Sequence, residues 1–154
     1  MCIRDSYNGP IGHVQGRNIT SDGYNLGLRY QCVEFVKRYY FEYYNHRMPN
    51  TYGHAREFFN NSVSAASFNR DRGLMQYRNN YSEKPQVGDI FVFRGTRQNP
   101  YGHIGIVSMV GADRVEMIQQ NVGKHTRNLY RMHVTNGNYH VEEVDLLGWM
   151  RKEN

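Results

Sequence analysis

The chain has 154 residues, 39% of them hydrophobic and 21% charged, with a net charge of +5. This is an ordinary globular balance at the length of one domain, which argues against a disordered chain and against a second core. The basic residues are spread out, as in Lys37-Arg38, Arg70, Arg72 and Arg151-Lys152, so the charge favours anionic surroundings but builds no nucleic-acid patch.

Met1 to Ser6 lacks the apolar core of a signal peptide and differs in character from the residues after it, so one domain over residues 7–154 is expected. No stretch approaches ~18 consecutive apolar residues, so no membrane span is expected. Residues 7–27 are dense in Gly, Asn, Ser and Asp, which is turn chemistry with at most short strand pieces. From 31 to 44 the character changes. Val33, Val36, Tyr40 and Tyr43 recur at helical spacing, as do Phe35, Tyr39 and Tyr43, predicting a buried central helix that ends in the Pro49-containing loop. A shorter helix is expected over 54–59. Residues 60–86 are polar and irregular, with helix-compatible pieces only.

Beyond them the period changes to that of strands. Short apolar runs bounded by turn residues fall at 88–94 and 103–110, and a hairpin turn at 111–114 leads into 115–120. Runs at 139–144 and 146–151 complete about five strands. One helix followed by an antiparallel sheet is an α+β layout. The 13 Tyr suit either half-buried sheet positions or a groove for a polar polymer.

Three pieces carry chemistry: Tyr30-Gln31-Cys32-Val33-Glu34-Phe35, Gly102-His103-Ile104-Gly105-Ile106 and Gln119-Gln120-Asn121. The first places Cys32 where a loop becomes a helix, so a thiolate there meets unpaired first-turn N–H groups and the positive end of the helix dipole. That environment lowers a thiol pKa, as a nucleophile requires. His103 begins a strand and the amides end the next, so Gln119 or Asn121 is placed to bond the far nitrogen of the imidazole and hold its tautomer. Gly102 and Gly105 permit a close approach of backbone or substrate. Taken singly, Cys32 reads more readily as a small buried hydrophobe, and His103 as readily as a structural or exposed residue; order and separation together favour the functional reading.

In order and spacing these pieces resemble the CHAP family, the cysteine- and histidine-dependent amidohydrolases/peptidases of papain-like (NlpC/P60-type) fold. Together with Asn136-Gly137-Asn138-Tyr139 and Leu146-Leu147-Gly148-Trp149-Met150, they are nearest to the amidase domain of the bifunctional glutathionylspermidine synthetase/amidases. The resemblance implies a helix carrying Cys32 packed on an antiparallel sheet. It also implies Cys32 as nucleophile, His103 as general base and then acid, and the 119–121 segment as the orienting element. Family members usually carry Glu-Gln-Asn where this chain has Gln119-Gln120-Asn121, and a neutral Gln119 orients an imidazole without stabilising its charge. The backbone N–H of Cys32, with Gln31 as a second donor, is the expected oxyanion site.

Some members bind calcium through carboxylates nine and seven residues before the Cys. Here those positions are Gly23 and Asn25, with Asp22 the nearby charge, so no metal is expected. The seven His show no zinc spacing either. No cofactor is required. The expected substrate is a bacterial peptidoglycan peptide, and glutathionylspermidine is the alternative. A catalytically inactive wall-binding module is the rival from another class. A monomer without a nucleic-acid partner is expected. Wall chemistry would place it in the cell envelope or outside the cell, and glutathionylspermidine chemistry in the cytoplasm.

Overall fold

The computed structural model describes residues 16–29, 31–63, 65–120 and 126–153. One α-helix, α1 (Cys32–Tyr44), follows a two-stranded antiparallel ribbon of β1 (Arg17–Ile19) and β2 (Asn25–Leu28). Both predicted apolar rows of α1 are buried through Phe35, Val36, Tyr39 and Tyr40. Tyr43, the last member of both rows, is instead 56% exposed and stacks on Tyr39 at 4.6 Å. The helix stops when Asn45 turns left-handed at φ 50° and donates its N–H to Tyr40 O, four positions before Pro49. The short helix expected over 54–59 is a 3-10 turn, Ala55–Phe58.

The remaining strands form one eight-stranded antiparallel sheet. They are β3 (Ala66–Asn69), β4 (Leu74–Arg78), β5 (Ile90–Phe93), β6 (His103–Val110), β7 (Arg114–Ile118), β8 (Arg127–Thr135), β9 (Asn138–Val141) and β10 (Leu146–Arg151). Their spatial order is β3-β4-β10-β5-β6-β7-β8-β9. The sheet curls until its ends meet. Tyr81, just past β4, bridges Tyr139 of β9, and the Asn79 amide bonds both backbone groups of Val141 at 2.9 Å.

Curling buries both faces. Ile90, Val92, Ile104, Ile106, Ile118 and Met150 pack under α1, while Phe91, Val107, Val115, Met117 and Trp149 fill the inside of the curl. A strand buried on both faces reads as a continuous apolar run rather than an alternation, which is why β5 and β6 were visible in the sequence. The expected strands are all present, and five more accompany them: β1, β2, β3, β4 and β8.

The 60–86 stretch is thus a hairpin, not helix-compatible pieces. Two of its buried positions are amides, beside Leu74 and Tyr77: Asn69 donates to Phe58 O at 2.8 Å and to Gln76 Oε1 at 3.0 Å, which interrupts the hydrophobic periodicity. Only Met132 of β8 is buried, which leaves that strand without an apolar face to read.

Candidate active site

Cys32 is the first residue of α1, with Gln31 as its extended N-cap. Beneath it, β6 packs against α1 and opens with His103. The imidazole is hydrogen-bonded to the Cys32 thiol. On its other side, His103 Nε2 lies 2.7 Å from Gln119 Oε1. A carbonyl oxygen only accepts, so Nε2 carries the proton of that bond and Nδ1 is left for the thiol. The hairpin pairing that delivers Gln119 is the predicted one, with Ile106 opposite Ile118. Asn121, the other orienting candidate, lies outside the described residues.

The two glycines around His103 serve backbone packing. A Cβ on Gly102 would meet Phe93 O at 2.6 Å and Arg56 N at 2.9 Å, and the residue sits at φ +77°. A Cβ on Gly105 would meet Met117 Sδ at 2.5 Å and Ile118 O at 2.8 Å. Both neighbours are therefore protein. Their absence of side chain lets the 3-10 turn and β7 close around the base of the imidazole.

The electrostatics of the pair are mutual. Burial is the largest influence on Cys32 and raises its thiol, but the hydrogen bond and charge of His103 outweigh it, helped by the backbone N–H groups of Ile104 and Val33. The net direction is below the ordinary thiol value. For His103, burial is again the largest influence and lowers the imidazole, yet the Cys32 bond and charge and the Gln119 bond carry it above its usual value. A lowered thiol beside a raised imidazole is the charge pattern of an activated nucleophile.

Gln31 lies beside Cys32, where the resemblance puts it, and its carbonyl accepts Gln120 Nε2 at 2.9 Å. The same Gln120 nitrogen donates to Glu34 Oε2 at 2.9 Å. Glu34 Oε1 accepts Arg38 Nε at 2.9 Å and Asn18 Nδ2 at 3.0 Å. Glu34 and Gln120 are fully buried. The sequence signal of this group is slight: α1 carries Lys37, Arg38 and Glu42 besides Glu34, so one more charged residue does not stand out.

Two grooves open nearby. The larger, about 550 Å³, is lined by Arg78, His140, Glu142 and Leu147 among others and touches neither Cys32 nor His103. The smaller, about 220 Å³, has His103 and Gln119 in its wall and runs on to Asn128, Tyr130, Glu143 and Asp145. The second adjoins His103 from the Gln119 side, and Cys32 is not among its lining residues.

The calcium positions do not fit a metal. Gly23 brings no side chain, Asp22 is held by Arg47, and the Asn25 carboxamide oxygen accepts Arg17 Nη1 at 3.1 Å and Gly27 N at 3.0 Å. The Lys37 ammonium already sits on the carbonyls of Asn25 and Thr51.

A helix that carries a cysteine at its start, laid on a curled antiparallel sheet that begins a strand with histidine, defines an α+β protein of papain-like fold. The chain belongs to the CHAP domain family, whose model matches residues 21–121. It is similar to trypanothione synthetase of Crithidia fasciculata, 27% identical over 110 residues, covering 71% of this chain and 17% of that protein. It is also similar to the bifunctional glutathionylspermidine synthetase/amidases of Escherichia coli K12 and Shigella flexneri, each 26% identical over 147 residues, covering 87% of this chain and 23% of theirs. The chain therefore spans less than a quarter of the length of these curated relatives. The family and its amidase relatives support a hydrolase of amidase or peptidase type. Among the described residues no helix is long and apolar enough to cross a membrane.

Proposed function

We propose that the chain is a cysteine-dependent amide hydrolase in which Cys32 is the nucleophile, His103 the general base and acid, and Gln119 the residue that orients His103. The observation that carries this reading is the line of hydrogen bonds from Cys32 through His103 to Gln119, with the thiol lowered and the imidazole raised. The Cys32 thiolate attacks the amide carbonyl carbon, and the N–H groups at the start of α1 receive the developing oxyanion, with Gln31 beside them. The C–N bond breaks as the imidazolium gives its proton to the amine nitrogen. Water then attacks the thioester while His103 takes its proton, releasing the carboxylate and restoring the thiol.

The net charge of +5 and the many Tyr support a cell-wall peptide as substrate. A second reading, an amide of a polyamine, draws on two more local features. The groove beside His103 is lined by Arg94, Asp145 and Glu143; Arg94 pairs with Asp145 at 2.8 Å, which leaves Glu143 without an ion-pair partner among the described residues, and relatives covering most of this chain are named for glutathionylspermidine synthetase/amidase. Charge in the groove acts at closer range than net charge, so the polyamine amide is the favoured substrate.

The test is incubation of the protein with glutathionylspermidine and, separately, with purified wall, followed by mass spectrometry of the products. Free spermidine, lost in Cys32→Ala, is expected. New amines from the wall alone would return the substrate to the peptide. No product from either, together with a Cys32 thiol that alkylates as a free thiol of pKa ~8.5, would leave the inactive wall-binding module as the reading.

A further inference from the structure

We infer that Gln120 is a positioning residue, an amide clamp that holds the start of α1 against the end of β7 and so keeps the Cys32 thiol within reach of His103. This rests on the proposed roles of Cys32 and His103.

The nucleophile and the base sit on elements far apart in sequence, and nothing covalent sets their separation. Gln120 follows Gln119, which bonds His103, and Gln31 precedes Cys32. The Gln120 Nε2 group donates at 2.9 Å to the Gln31 carbonyl and at 2.9 Å to Glu34 Oε2. One buried amide therefore ties the residue before the nucleophile to the residue after the orienting glutamine. The Gln120 carboxamide oxygen lies 3.4 Å from Arg38 Nη2, which completes a ring through Glu34.

The ring also answers an electrostatic problem. A buried carboxylate two residues from the thiol opposes formation of a thiolate. Glu34 Oε1 accepts the Arg38 guanidinium at 2.9 Å, so its charge is balanced inside the ring and not by the sulfur's surroundings. Gln120, being neutral, joins the two elements without adding charge of its own.

The test compares Gln120→Leu with Asn79→Ala in the full chain. Asn79, half-buried, holds β9 through Val141, away from the pair, and serves as the control for loss of a structural amide. The readouts are the pH dependence of Cys32 alkylation by iodoacetamide and the melting temperature by circular dichroism. In Gln120→Leu the thiol titration is expected to move up by about one unit, which slows alkylation about tenfold below the wild-type midpoint. In Asn79→Ala it is expected to stay in place, even at an equal loss of melting temperature.

A folded Gln120→Leu with the wild-type titration would overturn the clamp and leave Gln120 a packing residue. If Gln120→Leu does not fold, Gln120→Asn, one methylene too short to span both acceptors, provides the same comparison. A wild-type thiol that already titrates near ~8.5 would sink the Cys32–His103 reading itself, whereas a low wild-type value that no Gln120 variant shifts sinks only the clamp.

Discussion

Replacing Gln119 with Glu adds one negative charge at a site whose present oxygen stands 2.7 Å from His103 Nε2. An opposite charge at such range raises a base by about 1–3 pK units, each worth about 1.36 kcal/mol. Against this stands the cost of placing a carboxylate at a position only 3% exposed, several kcal/mol per ion before compensation. The gain is realised when His103 is charged, so the net effect is a shift of about one unit, the low end of that range. In the Cys–His pair the two limbs respond differently. The alkaline limb, deprotonation of the imidazolium, goes to higher pH, while the acid limb, protonation of the thiolate, stays in place, because the imidazolium is charged on both sides of that step. The assay is kcat/KM against pH for release of spermidine from glutathionylspermidine, with iodoacetamide alkylation of Cys32 as an independent readout. Beyond the wild-type alkaline midpoint, rates in Gln119→Glu are expected to be about tenfold above wild type. A folded variant with the alkaline limb unmoved refutes Gln119 as the orienting residue. A large loss in Asn121→Ala alongside that result would give the role to Asn121.

Three further outcomes test the surrounding fold. Burial, reinforced by Arg72 and Arg17, pulls the Lys37 ammonium from 10.5 down to about 8. The unfolded chain therefore binds more protons between those values, and the stability of wild type relative to Lys37→Met should rise with pH from about 8 to 10.5, by at most about 1.4 kcal/mol per pH unit. Urea titrations across that range check it, and a flat difference would contradict a buried charged amine. Gly105→Ala drives a Cβ toward the Ile118 carbonyl at 2.8 Å, which cannot retreat without parting β6 from β7. A loss of about 1–3 kcal/mol is expected by urea denaturation. Arg151→Met strips the buried Asp89 of partners at 3.0 and 2.7 Å, so about 3–5 kcal/mol should be lost. The kcat of the surviving folded protein should hardly change, since Arg151 touches none of Cys32, His103 and Gln119.

Helix α1 and strands β5, β6, β7, β9 and β10 were legible because burial wrote their period or their apolar runs into the chain. The 60–86 hairpin was not, because Asn69 and Gln76 occupy inward positions through hydrogen bonds that no hydrophobic scale registers. Gly102 and Gly105 stood out correctly as points of close approach, but the choice between backbone and substrate needed their neighbours in space. Gln120 lay inside a recognised motif and still carried no visible task, since its partners Gln31 and Glu34 are more than eighty residues away.

What the sequence by itself determined is the set of candidate parts and their order: a thiol at a helix start, an imidazole at a strand start, and amides at the end of the next strand. Local chemistry suffices for that, because helix ends, turns and adjacent strands are encoded within short windows. What only the tertiary structure decided is which parts touch. The curl of the sheet, the contact of Gln119 with His103, and the ring of Gln31, Glu34, Arg38 and Gln120 all depend on contacts between segments distant in the chain. Side-chain meetings of that kind are set by how the helix seats on the sheet, a property of the whole packed core and not of any single stretch within it.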